Sequence, residues 1–398
     1  MPGSGLSSLA WSSYLPIYNV MNSSENKAIS VAKPSNLVAV DVMRGISALG
    51  VAWFHSRSDL WIGFKAINAD GAAYSVFDRF LSYFSLPVSQ MGGMVMLFFV
   101  LSGFCIHLPT ARRKVAPAWN IYFARRFLRI YPPYLAIILI CLLLANTFLN
   151  SGPGEFKEWD IYGLSVLMIQ NWAGNGSQIS LNPSLWTIPA EMVLYIFYPV
   201  SLFIRGKFKL SVSIAYTLFL AAVSYALFLV GNHQSLASLL SYVVIWNSGA
   251  WLAEAYQEGK IPKIANIYYV SLIIALTGLV MLAGFFDVNA YYLTYGWGLI
   301  AFLLMIWSIG AGSSMFSLGH WFTRFMVFIG TISYSLYLIH YPLFKLLGHL
   351  WIQLFGSKPV SFLIPSLATI IAIPISFFFY VYFEKPSHEI SKKLSRPS

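Results

Sequence analysis

Apolar runs close to twenty residues long recur along this chain, at roughly 37–56, 91–108, 133–150, 185–204, 210–231, 236–256, 265–286, 291–312, 325–350 and 359–383. A helix needs about 20 predominantly apolar residues to cross the hydrocarbon of a bilayer, whereas a barrel strand alternates over about ten. The runs therefore predict an all-α fold: a polytopic helical membrane protein of about ten transmembrane helices. Composition agrees, because 10% of the 398 residues are charged, against about 25% in soluble domains. The apolar stretch 161–172 is too short to cross and is assigned to a loop. On this reading residues 1–36 form a polar tail without the pattern of a cleavable signal peptide, 37–386 the transmembrane domain, and 387–398 a basic tail. Cys105 and Cys141 both fall inside apolar runs, which suggests neither a disulfide framework nor a metal site.

A net charge of +11 invites a nucleic-acid reading, but its distribution is a topology signal instead. Most Lys and Arg flank the termini and the even-numbered connections, while the odd-numbered connections hold Arg57, Lys65, Arg79, Lys157 and Lys358. Positive residues stay on the cytoplasmic side. Both termini are thus expected in the cytoplasm of an inner-membrane protein, with membrane lipids and no nucleic acid as partners. One connection stands apart: 109–132 holds six cations and no acid. Within it, Tyr122, Phe123, Phe127 and Ile130 alternate with Arg125, Arg126 and Arg129. That pattern predicts a cytoplasmic interfacial amphipathic helix ending at Pro132–Pro133. Two roles fit it, an anchor among lipid headgroups or a clamp for a polyanionic ligand, because guanidinium forks match phosphate.

The first span carries groups a membrane helix should avoid: Asp41, Arg44 and His55. Each costs roughly 2.5–3.5 kcal/mol at the bilayer centre, so such residues face a protein interior or a wet cavity. Eleven helical steps separate Arg44 from His55, which returns the second side chain to within roughly 20° of the first, about 16 Å along the axis. Both line one stripe, Arg44 toward the inner face and His55 at the outer end. Asp41, three residues before Arg44, is placed to pair with it. A satisfied ion pair with His55 merely at the interface is the plain alternative. Asp59, four residues beyond His55, is a candidate partner for the imidazole.

Further polar points mark later spans. Ser102-Gly103 removes bulk and permits close approach of a helix or ligand. His107, near the cytoplasmic edge, reads as incidental. Span four buries Glu191 below Trp186, which fits either the aromatic belt or an outer vestibule. Spans five to eight read as scaffold. Span nine holds Tyr337 and His340, suited to a second polar contact. The long connections 57–90 and 151–184 flank the outer end of span one, where lids and binding surfaces are common.

Together these pieces resemble the membrane acyltransferase 3 family of integral-membrane O-acyltransferases, which modify sugars of bacterial surface polysaccharides and some antibiotics. The matching residues run from about 37 to 386: Asp41-x-x-Arg44-Gly45 with His55, Phe98-Phe99-Val100-Leu101-Ser102-Gly103-Phe104, Arg125-Arg126-Phe127-Leu128-Arg129-Ile130-Tyr131-Pro132, Leu185-Trp186 with Glu191, Ser333 through His340, and Glu384-Lys385-Pro386. One departure is Ile188-Pro189-Ala190 before Glu191, where relatives often read Ser-Val-Glu. The resemblance implies essential His55 and Arg44 and a cytoplasmic acyl-coenzyme A donor, with acetyl-coenzyme A the natural choice. The acceptor it implies is a glycan or lipid-linked sugar.

Chemistry then suggests roles. A neutral alcohol attacks a thioester poorly, so the reaction needs a base, and His55 is the expected one. Arg44, about 16 Å away, is assigned to holding the donor or pairing with Asp41. Arg125, Arg126, Arg129 and Tyr131 are expected at the coenzyme A phosphates, Ser102 and Gly103 along its arm, and Trp186, Glu191, Tyr337 and His340 in support. The rival from another class is a transporter or flippase for a lipid-linked sugar, whose pathway the same intramembrane polar residues would line.

Overall fold

The computed structural model describes residues 35–69, 73–147, 159–173, 177–207, 210–231, 234–262, 265–310 and 313–394. The polar tail lies almost wholly outside them. Among the described residues the chain is helical with no strand. In order come α1 (Ser35–Leu60), α2 (Phe64–Ala69), α3 (Val76–Phe84), α4 (Met94–Arg113), α5 (Trp119–Thr147), α6 (Trp159–Val166), α7 (Thr187–Lys207) and α8 (Leu210–Val230). They are followed by α9 (Gln234–Gln257), α10 (Asn266–Phe285), α11 (Ala290–Ile309), α12 (Trp321–Thr331), α13 (Ser333–Phe355), α14 (Leu363–Phe379) and α15 (Lys385–Lys393). Eight helical stretches among the described residues are long and apolar enough to cross a membrane, or nine if α12 and α13 count as one span. In hydrocarbon every backbone group must be satisfied within the protein, which is why such runs fold as helices.

Side-chain contacts give the helix directions. Arg44 meets Cys105 while Phe54 lies over Gly92, so α1 and α4 run antiparallel. The pairs Phe99–Tyr242, Ser102–Trp246 and His107–Glu254 set α9 parallel to α4, and Ser102–Glu191 with His107–Tyr198 does the same for α7. His55–His340 and Asp59–Lys345 set α13 parallel to α1. The bundle thus has an arginine end, with Arg44, Arg126 and Arg129, and a histidine end, with His55 and His340. Glycines let the central helices touch. A Cβ at Gly45 would overlap the Met326 carbonyl oxygen, and one at Gly330 would overlap that of Asp41, locking α1 to α12. Gly103 and Gly249 are closed in the same way by the backbones of Trp246 and Val100, locking α4 to α9.

Three expectations are corrected. The basic stretch does not form a separate helix ending at Pro132–Pro133; both prolines sit inside α5. An interior proline withdraws the N–H that its i−4 carbonyl needs. For Pro132 that carbonyl is Leu128, and the Ser387 hydroxyl of α15 donates to it instead. The device repeats. Pro199 frees the Tyr195 carbonyl, which accepts from Tyr122 at 3.4 Å, and Pro342 frees that of Leu338, which accepts from Asn182 at 2.8 Å. In each case a side chain from elsewhere in the chain replaces the missing donor, so the helix continues and is keyed to its neighbour. Second, the ninth run is not one straight helix, because α12 and α13 meet at Ile332 with a 74° bend. Third, the short apolar stretch near 161–172 is not bare loop but contains α6. The basic tail likewise begins as α15, whose Ser387 and Ser391 are buried against α5.

Candidate active site

The α1 helix is unbroken from Ser35 to Leu60, so Arg44 and His55 do share one stripe of it. At the arginine end, Arg44 lies 4.0 Å from Asp41 and donates to the Cys105 thiol at 3.6 Å. Glu191 and Tyr195 stand within its electrostatic reach. Glu191 is itself held: it accepts from Ser102 at 3.1 Å and from the Tyr195 hydroxyl, and Ser102 in turn accepts from the Trp246 indole at 3.2 Å.

The arginines of α5 divide. Arg126 and Arg129 turn into the bundle, Arg126 against the rings of Tyr122 and Tyr195 at 5.7 and 5.4 Å. Arg129 lies within electrostatic reach of Arg44, Arg126 and Glu384. Arg125, one turn before Arg129, is exposed. Tyr131 is not with them either: it stacks on Phe127 and donates to the Val166 carbonyl at 3.1 Å, tying α5 to α6. Gly103 is taken up by α9 packing. A convergent set of Arg44, Arg126 and Arg129 has the charge and fork geometry to hold phosphates.

Glu384 completes this end. A π-helical turn, Tyr380–Glu384, seats its carboxylate at the start of α13. There it accepts from the Ser335 amide at 3.0 Å and the Ser335 hydroxyl at 2.5 Å. The first turn of a helix has unpaired N–H groups and a partial positive charge, and Ile332 brings no capping side chain. Glu384 supplies that cap from 49 residues away. The bend before α13 is its physical cause.

At the other end, His55 is half-buried and its ring faces His340 at 5.2 Å and Tyr341 at 4.9 Å between centroids. His340 is 0% exposed. Its Nδ1 lies 3.1 Å from the Leu336 carbonyl, which can only accept, so Nδ1 carries the proton and Nε2 is an acceptor. That Nε2 has no partner among the described residues. Asp59 does not orient His55. Its Oδ1 accepts from Lys345 at 3.1 Å and from Tyr341 at 3.5 Å. Tyr337 stands next to His340, donating to the Ser184 carbonyl at 2.7 Å and accepting from Thr187 at 2.8 Å. Trp186 turns inward onto Phe99 and Tyr242, which removes it from the aromatic belt.

A second buried network lies where only an incidental histidine and scaffold were expected. His107 pairs with Tyr198 through Nδ1 at 3.1 Å and with Glu254 through Nε2 at 2.9 Å, and Arg205 completes an ion pair to Glu254 at 2.8 Å. These residues stand on three different spans, so no local spacing announces them. The available signal was an acid and a base near the same end of adjacent even-numbered spans.

The fold and this polar seam define a polytopic membrane protein with a phosphate-suited end and a histidine end. The chain belongs to the acyltransferase 3 family: the family's acyltransferase-domain model matches residues 37–381. Among curated proteins it is similar to the acyltransferase MdmB of Streptomyces mycarofaciens, 26% identical over 163 residues, which is 40% of this chain and 39% of that relative. The match thus spans about two-fifths of the relative's length. No solved structure matches.

Proposed function

We propose that this protein transfers an acyl group, acetyl in the simplest case, from acyl-coenzyme A in the cytoplasm to a sugar hydroxyl across the membrane. The acceptor is a cell-surface polysaccharide or a lipid-linked glycan. One observation supports the reading above the rest: the stripe on α1 joins Arg44, among Cys105, Asp41 and Glu191, to His55, which faces His340. The positive-inside bias assigns the arginine end and both termini to the cytoplasm of an inner-membrane protein. Coenzyme A phosphates meet Arg126 and Arg129 there, and the pantetheine arm passes Arg44 and Ser102 toward His55.

At the histidine end His55 takes the proton of the acceptor hydroxyl as its oxygen bonds to the thioester carbonyl carbon. The carbon–sulfur bond then breaks, and the proton passes from His55 to the departing thiolate, leaving the ester and free coenzyme A thiol. Imidazole suits both transfers because its neutral ring nitrogen accepts a proton and the resulting imidazolium can return it. His340, with its tautomer set by Leu336, is a positioning residue for His55.

Reconstitution in liposomes with acetyl-coenzyme A and a glycan acceptor tests this. Free thiol should appear in step with acylated sugar, and His55→Ala should stop both while acetyl-coenzyme A still binds. Movement of sugar across the bilayer without thiol release would replace the enzyme by a flippase. Full turnover by folded His55→Ala would remove His55 as the base.

A further inference from the structure

A cavity of about 300 Å³ opens between the start of α7, the start of α9 and the segment before α7. Its lining includes Trp172, Trp186, Tyr242, Asn171, Gln178 and Ser238. Neither His55 nor Arg44 lines it. It lies toward the histidine end, because Tyr242 and Trp186 both pack on Phe99, in the second turn of α4.

The lining combines two chemistries. Trp172, half exposed, and the packed pair Trp186–Tyr242 present aromatic surface. Asn171 donates to the Trp186 carbonyl at 2.7 Å and accepts from the Gln178 amide at 3.0 Å, which fixes both side chains. The remaining Gln178 carbonyl oxygen has no donor among the described residues. A lipid chain would leave the Gln178 carbonyl oxygen unpaired, at a cost of about 1–3 kcal/mol for a buried group. A sugar ring satisfies both chemistries, with C–H faces against the aromatic rings and hydroxyls against the amides. The volume is at the small end for ligand pockets, suited to one or two rings.

A wall separates this cavity from the histidines. Thr187, next to Trp186, donates to Tyr337 at 2.8 Å; the Tyr337 ring lies 5.6 Å from that of His340. A ring held in the cavity is therefore not the ring being acylated. We infer that the cavity is a specificity subsite for a neutral pyranose unit of the acceptor, remote from the reacting hydroxyl. Binding energy gathered there serves to position the distant hydroxyl. The inference rests on the proposed transfer to a sugar.

Saturation-transfer NMR on the full chain in nanodiscs tests it without turnover. The probes are the methyl glycosides of glucose, galactose, mannose, rhamnose and N-acetylglucosamine. At least one should receive saturation on its ring protons from the wild type and from His55→Ala alike. Trp172→Ala and Gln178→Leu should each cut that signal about tenfold, ~1.4 kcal/mol, while Trp172→Phe retains most of it. Thermal unfolding checks that the variants fold; Trp172, half exposed, is the variant least able to disturb packing. Saturation of no glycoside by the wild type, or saturation that survives both cavity variants, overturns the inference. Cavity-dependent binding without acyl transfer by the wild type would sink the transfer reading alone. Acyl transfer with cavity-independent binding would sink the subsite alone.

Discussion

Two buried histidines, one toward each end of the bundle, are treated very differently by the fold. His107 is 1% exposed and paired at both nitrogens, to Tyr198 and to a Glu254 that Arg205 also holds. His340 is 0% exposed, yet one nitrogen has no partner among the described residues and its ring lies against a second imidazole. Pairing both nitrogens of a buried histidine ties together the helices that carry it and its partners. Here those are α4, α7 and α9. A buried polar atom without a partner is costly and persists where something other than stability is served. What separates these two histidines is left-over hydrogen-bond capacity, since burial and residue type are the same.

Three measurements press on that contrast. The largest effect is expected at the histidine end: His340→Gln should lower kcat about 10²-fold, the low end of what proton transfer by a side chain supplies, and move the pH profile of kcat. An unchanged pH profile would reduce His340 to packing. An intermediate effect is expected at the arginine end. Arg126→Ala and Arg129→Ala should each raise the Kd for acetyl-coenzyme A about tenfold, ~1.4 kcal/mol, measured by titration. Arg125→Ala should leave it unchanged, because Arg125 is exposed and outside the set of charges that act on Arg129. Unchanged affinity in all three variants would make the stretch a lipid anchor. The smallest effect on turnover belongs to the paired network. His107→Leu should lower stability by ~1–3 kcal/mol, since it takes one hydrogen-bond partner each from Glu254 and Tyr198, with activity of the folded fraction within about twofold. A large loss of kcat at unchanged melting temperature would erase the contrast.

Much of this was legible in the sequence. Apolar run lengths located the spans, because bilayer thickness sets a length that survives any tertiary arrangement. The Arg44–His55 stripe was readable because helical period alone places those residues on one face. What escaped was whatever depended on a distant partner. Asp59 looked like the companion of His55 at four residues' spacing, but Lys345 of α13 claims it. Pro132 looked like a helix end because the Ser387 hydroxyl that rescues the helix lies far along the chain. The run 325–350 looked continuous because apolarity does not register direction. Gly330-Thr331-Ile332-Ser333 was the turn signal within it. Arg125, Arg126 and Arg129 read as one cluster; burial, which spacing does not show, partly covers the latter two and leaves Arg125 exposed.

The Asn182 amide on the Leu338 carbonyl couples the segment before α7 to α13 as one latch. Drawing the segment before α7 away from the bundle would bare that carbonyl in a dry interior, and with it the Tyr337–Ser184 and Thr187–Tyr337 bonds. That segment and the turn of α13 holding His340 therefore travel together or stay put. On the proposed reading, an acceptor too bulky for the resting opening would be admitted by the opposite jamb, α9 with Ser238 and Tyr242.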